Sequence, residues 1–221
     1  HVMGVQAEVD PDSYIVGLGH PRCGTLFSTN LIRKCGLDVG HERKGADGLV
    51  SWTLLGEREK VPWGHGLGPL APFKRIFCAA RSPLAAIPSI VPENRRPRSI
   101  KYRNRILLTK SGKYLQYVDN PVALALESYT RWFALALNHN PGVIFRIDRP
   151  EDDAALSDFV GQPLKRAAEI HTHARPKIRF DAFSLEMLTD VPVGVITQTL
   201  TMAERLGYPE DAETIREICG I

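Results

Sequence analysis

The residues with the most specific chemistry lie at 21–25, which read Pro-Arg-Cys-Gly-Thr. They follow an apolar run at 14–18 and precede a stretch of helical character at 26–35. The first amides of a helix have no partner within the helix, and the helix dipole adds partial positive charge there. A strand, a glycine-containing turn and a helix start therefore predict a binding site for an anion such as phosphate or sulfate.

The triphosphate-binding loop of ATP- and GTP-hydrolysing proteins is the first comparison for this segment. That loop reads G-x-x-x-x-G-K-[S/T], and its lysine reaches the outer phosphates while its hydroxyl holds magnesium. Here Thr25 follows Gly24 directly, and the cation, Arg22, stands two positions before the glycine. No strand ending in an acidic pair is evident that would hold magnesium. The sequence thus argues against ATP or GTP hydrolysis and predicts no metal site.

A second candidate anion site follows the apolar run at 75–80, which has the length of a strand and ends at Arg81. An arginine at the carboxyl end of a strand offers a fork of donors to phosphate oxygens. Pro83 suits the first turn of a helix. Ser89, eight positions after Arg81, would lie on that helix and point back to the same anion.

With both motifs, the chain resembles the sulfotransferases that use 3′-phosphoadenosine 5′-phosphosulfate. Their first motif reads approximately P-[K/R]-[S/C]-G-T, and their second reads R-[D/H/S]-P-L-x-x-I-x-S. Residues 21–25 and 81–89 match in order, with Cys23 where serine is commoner. Looser similarities occur at 143–148, 171–176 and 206–208.

This resemblance implies a P-loop-like α/β domain with the phosphosulfate nucleotide as co-substrate and adenosine 3′,5′-bisphosphate as product. The implied donor-binding residues are Arg22, Cys23, Gly24, Thr25, Leu26, Arg81 and Ser89. The amides of residues 23–26 would hold the 5′ phosphosulfate. Arg22 would stabilise charge on the leaving group, while Arg81 and Ser89 would bind the 3′-phosphate.

The acceptor side is predicted at 40–52, a segment rich in groups that transfer protons. It resembles a G-H-E…D-G…S-W stretch of some bacterial members of the same family. Sulfuryl transfer to a hydroxyl requires a base close to the acceptor oxygen. Glu42 is the first candidate for this catalytic base and His41 the second, although Glu42 could instead cap the chain or pair with a neighbouring Arg or Lys. Trp52 and Trp63 are expected to line the acceptor pocket or to pack near it.

Composition places these motifs in one soluble globular domain. The chain has 221 residues, of which 43% are hydrophobic and 24% charged, so we expect a single domain over 1–221. Residues 1–3 are interpreted as a tag remnant. No signal peptide and no apolar run of membrane-span length is visible. The four cysteines show no paired spacing, which favours reduced thiols in the cytoplasm.

Strands alternate with helices along the chain. Strands are predicted at 13–18, 74–80 and 143–148, and helices at 24–36, 83–91, 121–138, 152–160, 184–206 (broken near Pro192) and 209–219. This order predicts an α/β fold with a central, mostly parallel sheet covered by helices on both faces. Both anion motifs would lie at the carboxyl ends of strands, and loops 37–70 and 92–120 would build the acceptor side.

The segment 95–113 contains eight Lys or Arg residues and no acid, although the net charge is only +3. It is either a solvated loop or an electropositive rim that attracts the nucleotide or an acidic acceptor. Apart from Tyr102 it has little aromatic interleaving, which argues against nucleic-acid binding.

Two other functions remain open at this point. A nucleotide kinase with an aberrant phosphate loop would bind ATP with magnesium. A non-catalytic nucleotide-binding module would keep both anion sites without a working base. The acceptor itself could be a sugar, a small alcohol or phenol, or a lipid headgroup.

Overall fold

A computed structural model describes residues 9–57, 66–166 and 179–221. Its five strands form one sheet in the order β2-β3-β1-β4-β5, and every pairing between neighbours is parallel. The strands are β1 (Ile15–Gly19), β2 (Val39–His41), β3 (Gly48–Val50), β4 (Arg75–Ala80) and β5 (Val143–Arg146). The predicted α/β class with a parallel sheet is confirmed.

Helices cover both faces of this sheet, as predicted. The α-helices are α1 (Thr25–Arg33), α2 (Pro83–Asn94), α3 (Pro97–Ser111), α4 (Pro121–Leu137), α5 (Asp153–Val160), α6 (Val193–Arg205) and α7 (Pro209–Cys219), with 3-10 helices at Trp52–Gly56, Pro150–Asp152 and Leu185–Asp190. Side chains alternate along β1, so that Ile15 faces a core shared with α1 and α5. Val16 and Leu18 face the larger core built by α2, α3, α4, α6 and α7.

The segment 37–70, predicted to be a loop, contains two of the five strands and a 3-10 helix. β2 and β3 are three residues each and contain glycine, so neither forms an apolar run that the sequence would reveal. Both strands are held by backbone pairing within the sheet. β3 pairs with β1, with Val16 opposite Leu49, and β2 pairs with β3.

The basic segment is the helix α3, and the predicted loop over 92–120 is wrong for most of its length. Tyr102, Ile106 and Leu107 are buried at helical spacing, which ties the helix to the core while most of its cations face solvent. Arg103 is the exception, because its side chain is fully buried.

Among the described residues, no helix is both long and apolar enough to cross a membrane. Several sequence-based predictions lie outside the described residues and concern 1–3, Trp63 and the segment 171–176.

Candidate functional site

The loop between β1 and α1 is a tight turn with two residues in the left-handed region. Arg22 has φ +76°, and Gly24, the residue that precedes α1, has φ +99°. A side chain at Gly24 would also lack space, since an added Cβ would lie 2.5 Å from Cγ2 of Ile147. Both the dihedral angle and the contact with the chain after β5 therefore require glycine at this position.

Gly24 and the first two residues of α1, Thr25 and Leu26, are among the residues that line a cavity of about 460 Å³. The helical ladder begins where the Ser28 amide donates to the Gly24 carbonyl at 2.9 Å. The amides before Ser28 have no acceptor within the helix. Of the amides that the sequence predicted for an anion, those of Thr25 and Leu26 lie in this first turn.

Cys23 differs from that prediction. Its amide donates to the carbonyl of His20 at 3.0 Å and so closes the turn, and Cys23 does not line the cavity. Its side chain is fully buried in the larger core, and burial raises the pKa of the thiol to about 12. Cys23 is therefore a packed, protonated thiol, and neither its amide nor its sulfur is placed to hold the anion.

The cavity brings together the remaining residues predicted for the site. Those that line it are Arg22, Gly24, Thr25, Leu26, His41, Glu42, Arg81 and Ser89. Three of these groups come from the carboxyl ends of strands of one sheet, β1, β2 and β4, and Ser89 comes from α2. Parallel strands place such ends at one edge of a sheet, which is where ligands bind in this fold class.

The two candidate bases are held in different ways. The indole N–H of Trp52 donates to Oε1 of Glu42 at 2.9 Å, and Trp52 also lines the cavity. No ion pair joins this carboxylate to the neighbouring Arg43 or Lys44 in the described part of the chain. His41 Nε2 lies 3.2 Å from the hydroxyl of Thr25 and so connects β2 with α1.

The second predicted anion site would consist of side chains rather than of helix amides. Arg81 follows β4 directly and Ser89 lies two turns into α2. The start of α2 is already occupied, because Asp211 accepts hydrogen bonds from the Ser82 hydroxyl at 2.5 Å and the Leu84 amide at 3.1 Å. An anion at this site would therefore contact the Arg81 guanidinium and the Ser89 hydroxyl.

Sequence reasoning missed Glu93, which lines the same cavity. Arg96 also lines it and belongs to the basic segment for which an electropositive rim was one interpretation. Glu93 is only 6% exposed, and its Oε2 lies 3.3 Å from Nη1 of Arg96. Glu93 follows Ser89 by one helical turn, a spacing that places both on one face of α2. That spacing is the signal that could have identified it.

His20, just before the loop, is fully buried behind it. Its Nδ1 lies 2.6 Å from the carbonyl oxygen of Pro21, which can only accept, so Nδ1 carries the proton. Its Nε2 lies 2.8 Å from the Ser128 hydroxyl. Burial lowers the pKa of His20 well below 6.5, so the ring is neutral and fixes the backbone that leads into Arg22.

Across the described ranges, no group of three or more His, Cys, Asp or Glu side chains is arranged to hold a metal ion. Comparisons with family models, curated proteins and solved structures find no match to this chain.

Proposed function

We propose that this protein is a sulfotransferase with a P-loop-like fold that uses 3′-phosphoadenosine 5′-phosphosulfate as donor. The observation that carries the proposal is that the residues of two candidate anion sites line one cavity. One is the helix start after Gly24, and the other is formed by Arg81 and Ser89. A nucleotide with phosphate groups at both its 5′ and 3′ positions fits such a pair, whereas ATP carries no 3′-phosphate.

The arrangement of the sheet supports the P-loop-like assignment. β1 lies at the centre between β3 and β4, and the anion loop leads directly from β1 into α1. Arg81 follows the adjacent strand β4, so the two anion sites are neighbours at the carboxyl edge of the sheet.

The proposed reaction is an in-line displacement at sulfur. The acceptor hydroxyl oxygen attacks the sulfur atom, and the bond between that sulfur and the oxygen bridging to the 5′-phosphate breaks. The acceptor proton passes to the Glu42 carboxylate, and adenosine 3′,5′-bisphosphate leaves. Arg22 and the amides at the start of α1 stabilise the negative charge that grows on the bridging oxygen, a form of fixed electrostatic stabilisation.

Glu42 is the base that the geometry favours. The Trp52 indole N–H donates a hydrogen bond to one oxygen of the Glu42 carboxylate. This bond orients the carboxylate at the wall of the cavity, and the second oxygen can accept a proton. His41 remains the second candidate. The acceptor is a hydroxyl-bearing small molecule or saccharide, and nucleic acid is not proposed as a partner.

We place the reaction in the cytoplasm, because all four cysteines are free thiols. Free thiols persist in a reducing compartment.

The test is transfer of labelled sulfate from the nucleotide donor to a mixed panel of sugars, alcohols and phenols. We expect transfer by the wild type and a loss of about 10²–10³ in turnover for Arg22→Ala, with a smaller loss in affinity for adenosine 3′,5′-bisphosphate. Arg33→Ala, which removes an exposed cation at the far end of α1, is the matched control and should retain turnover. Glu42→Gln should lose turnover, and full activity in this variant would pass the role of base to His41.

Two results would contradict the proposal. Binding of the bisphosphate without transfer to any acceptor would indicate a non-catalytic module. Tight, magnesium-dependent binding of ATP in preference to the bisphosphate would indicate a kinase.

A further inference from the structure

Arg103 of α3 is fully buried behind the anion loop. Burial lowers its pKa to about 10, so the guanidinium remains cationic at neutral pH. No carboxylate lies within ion-pair distance of it in the described part of the chain. Glu93, whose charge favours the cationic form of Arg103, is paired with Arg96. A buried charge with only neutral partners is unfavourable unless an anion nearby compensates it.

The neutral partners of Arg103 connect it to the anion loop. Its Nη1 donates to the hydroxyl oxygen of Ser128 on α4, and that hydroxyl lies 2.8 Å from Nε2 of His20. Since Nδ1 of His20 donates to the Pro21 carbonyl, Nε2 must accept, and the Ser128 hydroxyl donates to it. One directed chain of hydrogen bonds thus runs from Arg103 to the residue before Arg22.

The second hydrogen on the same nitrogen connects Arg103 to the other half of the site. Nη1 lies 2.8 Å from Oδ1 of Asn94, the last residue of α2. The preceding turns of α2 carry Ser89 and Glu93, both of which line the cavity. One guanidinium nitrogen therefore links the anion loop, through Ser128 and His20, with the end of α2, through Asn94.

Two buried donors in this cluster have no partner among the described residues, namely Nε of Arg103 and Nδ2 of Asn94. The cluster thus contains more hydrogen-bond donors than acceptors and more positive than negative charge. Such an excess is costly in the free protein and favourable when an anion binds in front of the loop.

We infer that Arg103 is a positioning residue for the donor nucleotide: it fixes the anion loop relative to the end of α2, and its buried positive charge is balanced when the phosphates bind. This inference rests on the proposed function. It assigns to the basic segment a role within the core, distinct from that of the exposed cations on the same helix.

The experiment measures the affinity for adenosine 3′,5′-bisphosphate by calorimetry and the unfolding temperature with and without that ligand. Arg103→Met should lower the affinity by about tenfold or more, the effect expected for loss of one unit charge near a phosphate group. Arg103→Lys keeps the positive charge but lacks the several donors of a planar guanidinium, so the loss of affinity should be smaller, about two- to fivefold. Lys101→Met, which removes an exposed cation of α3, is the matched control and should change affinity by less than about twofold.

The outcomes separate this inference from the proposed function. Failure of the wild type to bind the bisphosphate would contradict the function itself. Wild-type affinity in a folded Arg103→Met variant, with only its free unfolding temperature lowered, would show a purely structural role and overturn the inference alone. If Arg103→Met does not fold, Asn94→Ala is measured instead, because it removes the hydrogen bond between Arg103 and α2 and keeps the charge of Arg103. It should bind the bisphosphate several-fold more weakly, and unchanged affinity would overturn the inference.

Discussion

Replacing Gly24 with alanine tests whether the anion loop has the backbone described above. An alanine at φ +99° costs about 1–2 kcal/mol in the left-handed region, offset by about 0.4–1 kcal/mol from a less flexible unfolded chain. Its Cβ would lie 2.5 Å from Cγ2 and 2.6 Å from Cδ1 of Ile147, and overpacking of this kind costs about 1–3 kcal/mol. We therefore expect Gly24→Ala to reduce the free energy of unfolding by about 2–4 kcal/mol.

Gly112 provides the matched control for this substitution. It directly follows α3 and, like Gly24, has a positive φ, here +72°, but an added Cβ there meets no atom within 4 Å. Gly112→Ala should therefore cost only the backbone contribution, about 0.5–1.5 kcal/mol.

Urea denaturation of both variants measures this difference. In the double variant Gly24→Ala/Ile147→Ala the contact is removed, and a coupling free energy of about 1–3 kcal/mol should appear. Equal destabilisation at the two glycines, with no coupling to Ile147, would refute the close contact between the loop and the chain after β5.

Two further outcomes are expected. Trp52→Phe removes the indole N–H that orients Glu42, so turnover should fall about tenfold, as for loss of a hydrogen bond to a charged group; an unchanged rate of sulfate transfer would contradict this role. The pKa of His20 is lower in the folded protein than the unfolded value of 6.5, so only the unfolded state gains a proton as the pH falls below about 6.5. Stability should therefore decrease toward pH 5 by up to about 1.4 kcal/mol per pH unit. Chemical denaturation of His20→Gln should show a shallower slope over that range, and an unaltered slope would contradict a buried neutral ring.

The long apolar elements could be predicted from the sequence because burial leaves a local pattern. The run at 75–80 is β4, and the aromatic and aliphatic stretch at 121–138 is α4. In contrast, β3 depends on pairing with β1, and β2 depends on pairing with β3, and no local pattern encodes these pairings. Helix α3 was not predicted, because its exposed cations outnumber the buried apolar residues Tyr102, Ile106 and Leu107 that pack it against the core.

The candidate site shows the same limit. The positions of Arg22, Gly24, Arg81 and Ser89 around one cavity followed from motifs at the ends of strands. Cys23 could not be placed by such reasoning, because its burial and its turn-closing amide depend on the conformation of the loop. Arg103 precedes Ile106 and Leu107 by three and four positions, which places it on their buried face. Its hydrogen-bond partners on α2 and α4 could not be predicted, because no local pattern encodes contacts between helices.

The affinity for adenosine 3′,5′-bisphosphate, compared by calorimetry with that for adenosine 5′-monophosphate, tests the central claim most directly. If Arg81 and Ser89 form a second phosphate site in the cavity of the loop, the bisphosphate should bind at least about 100-fold more tightly, as charge-assisted hydrogen bonds from both groups would give. Arg81→Ala should remove most of that preference. Equal affinity for the two nucleotides, or a preference that persists without Arg81, would contradict the account.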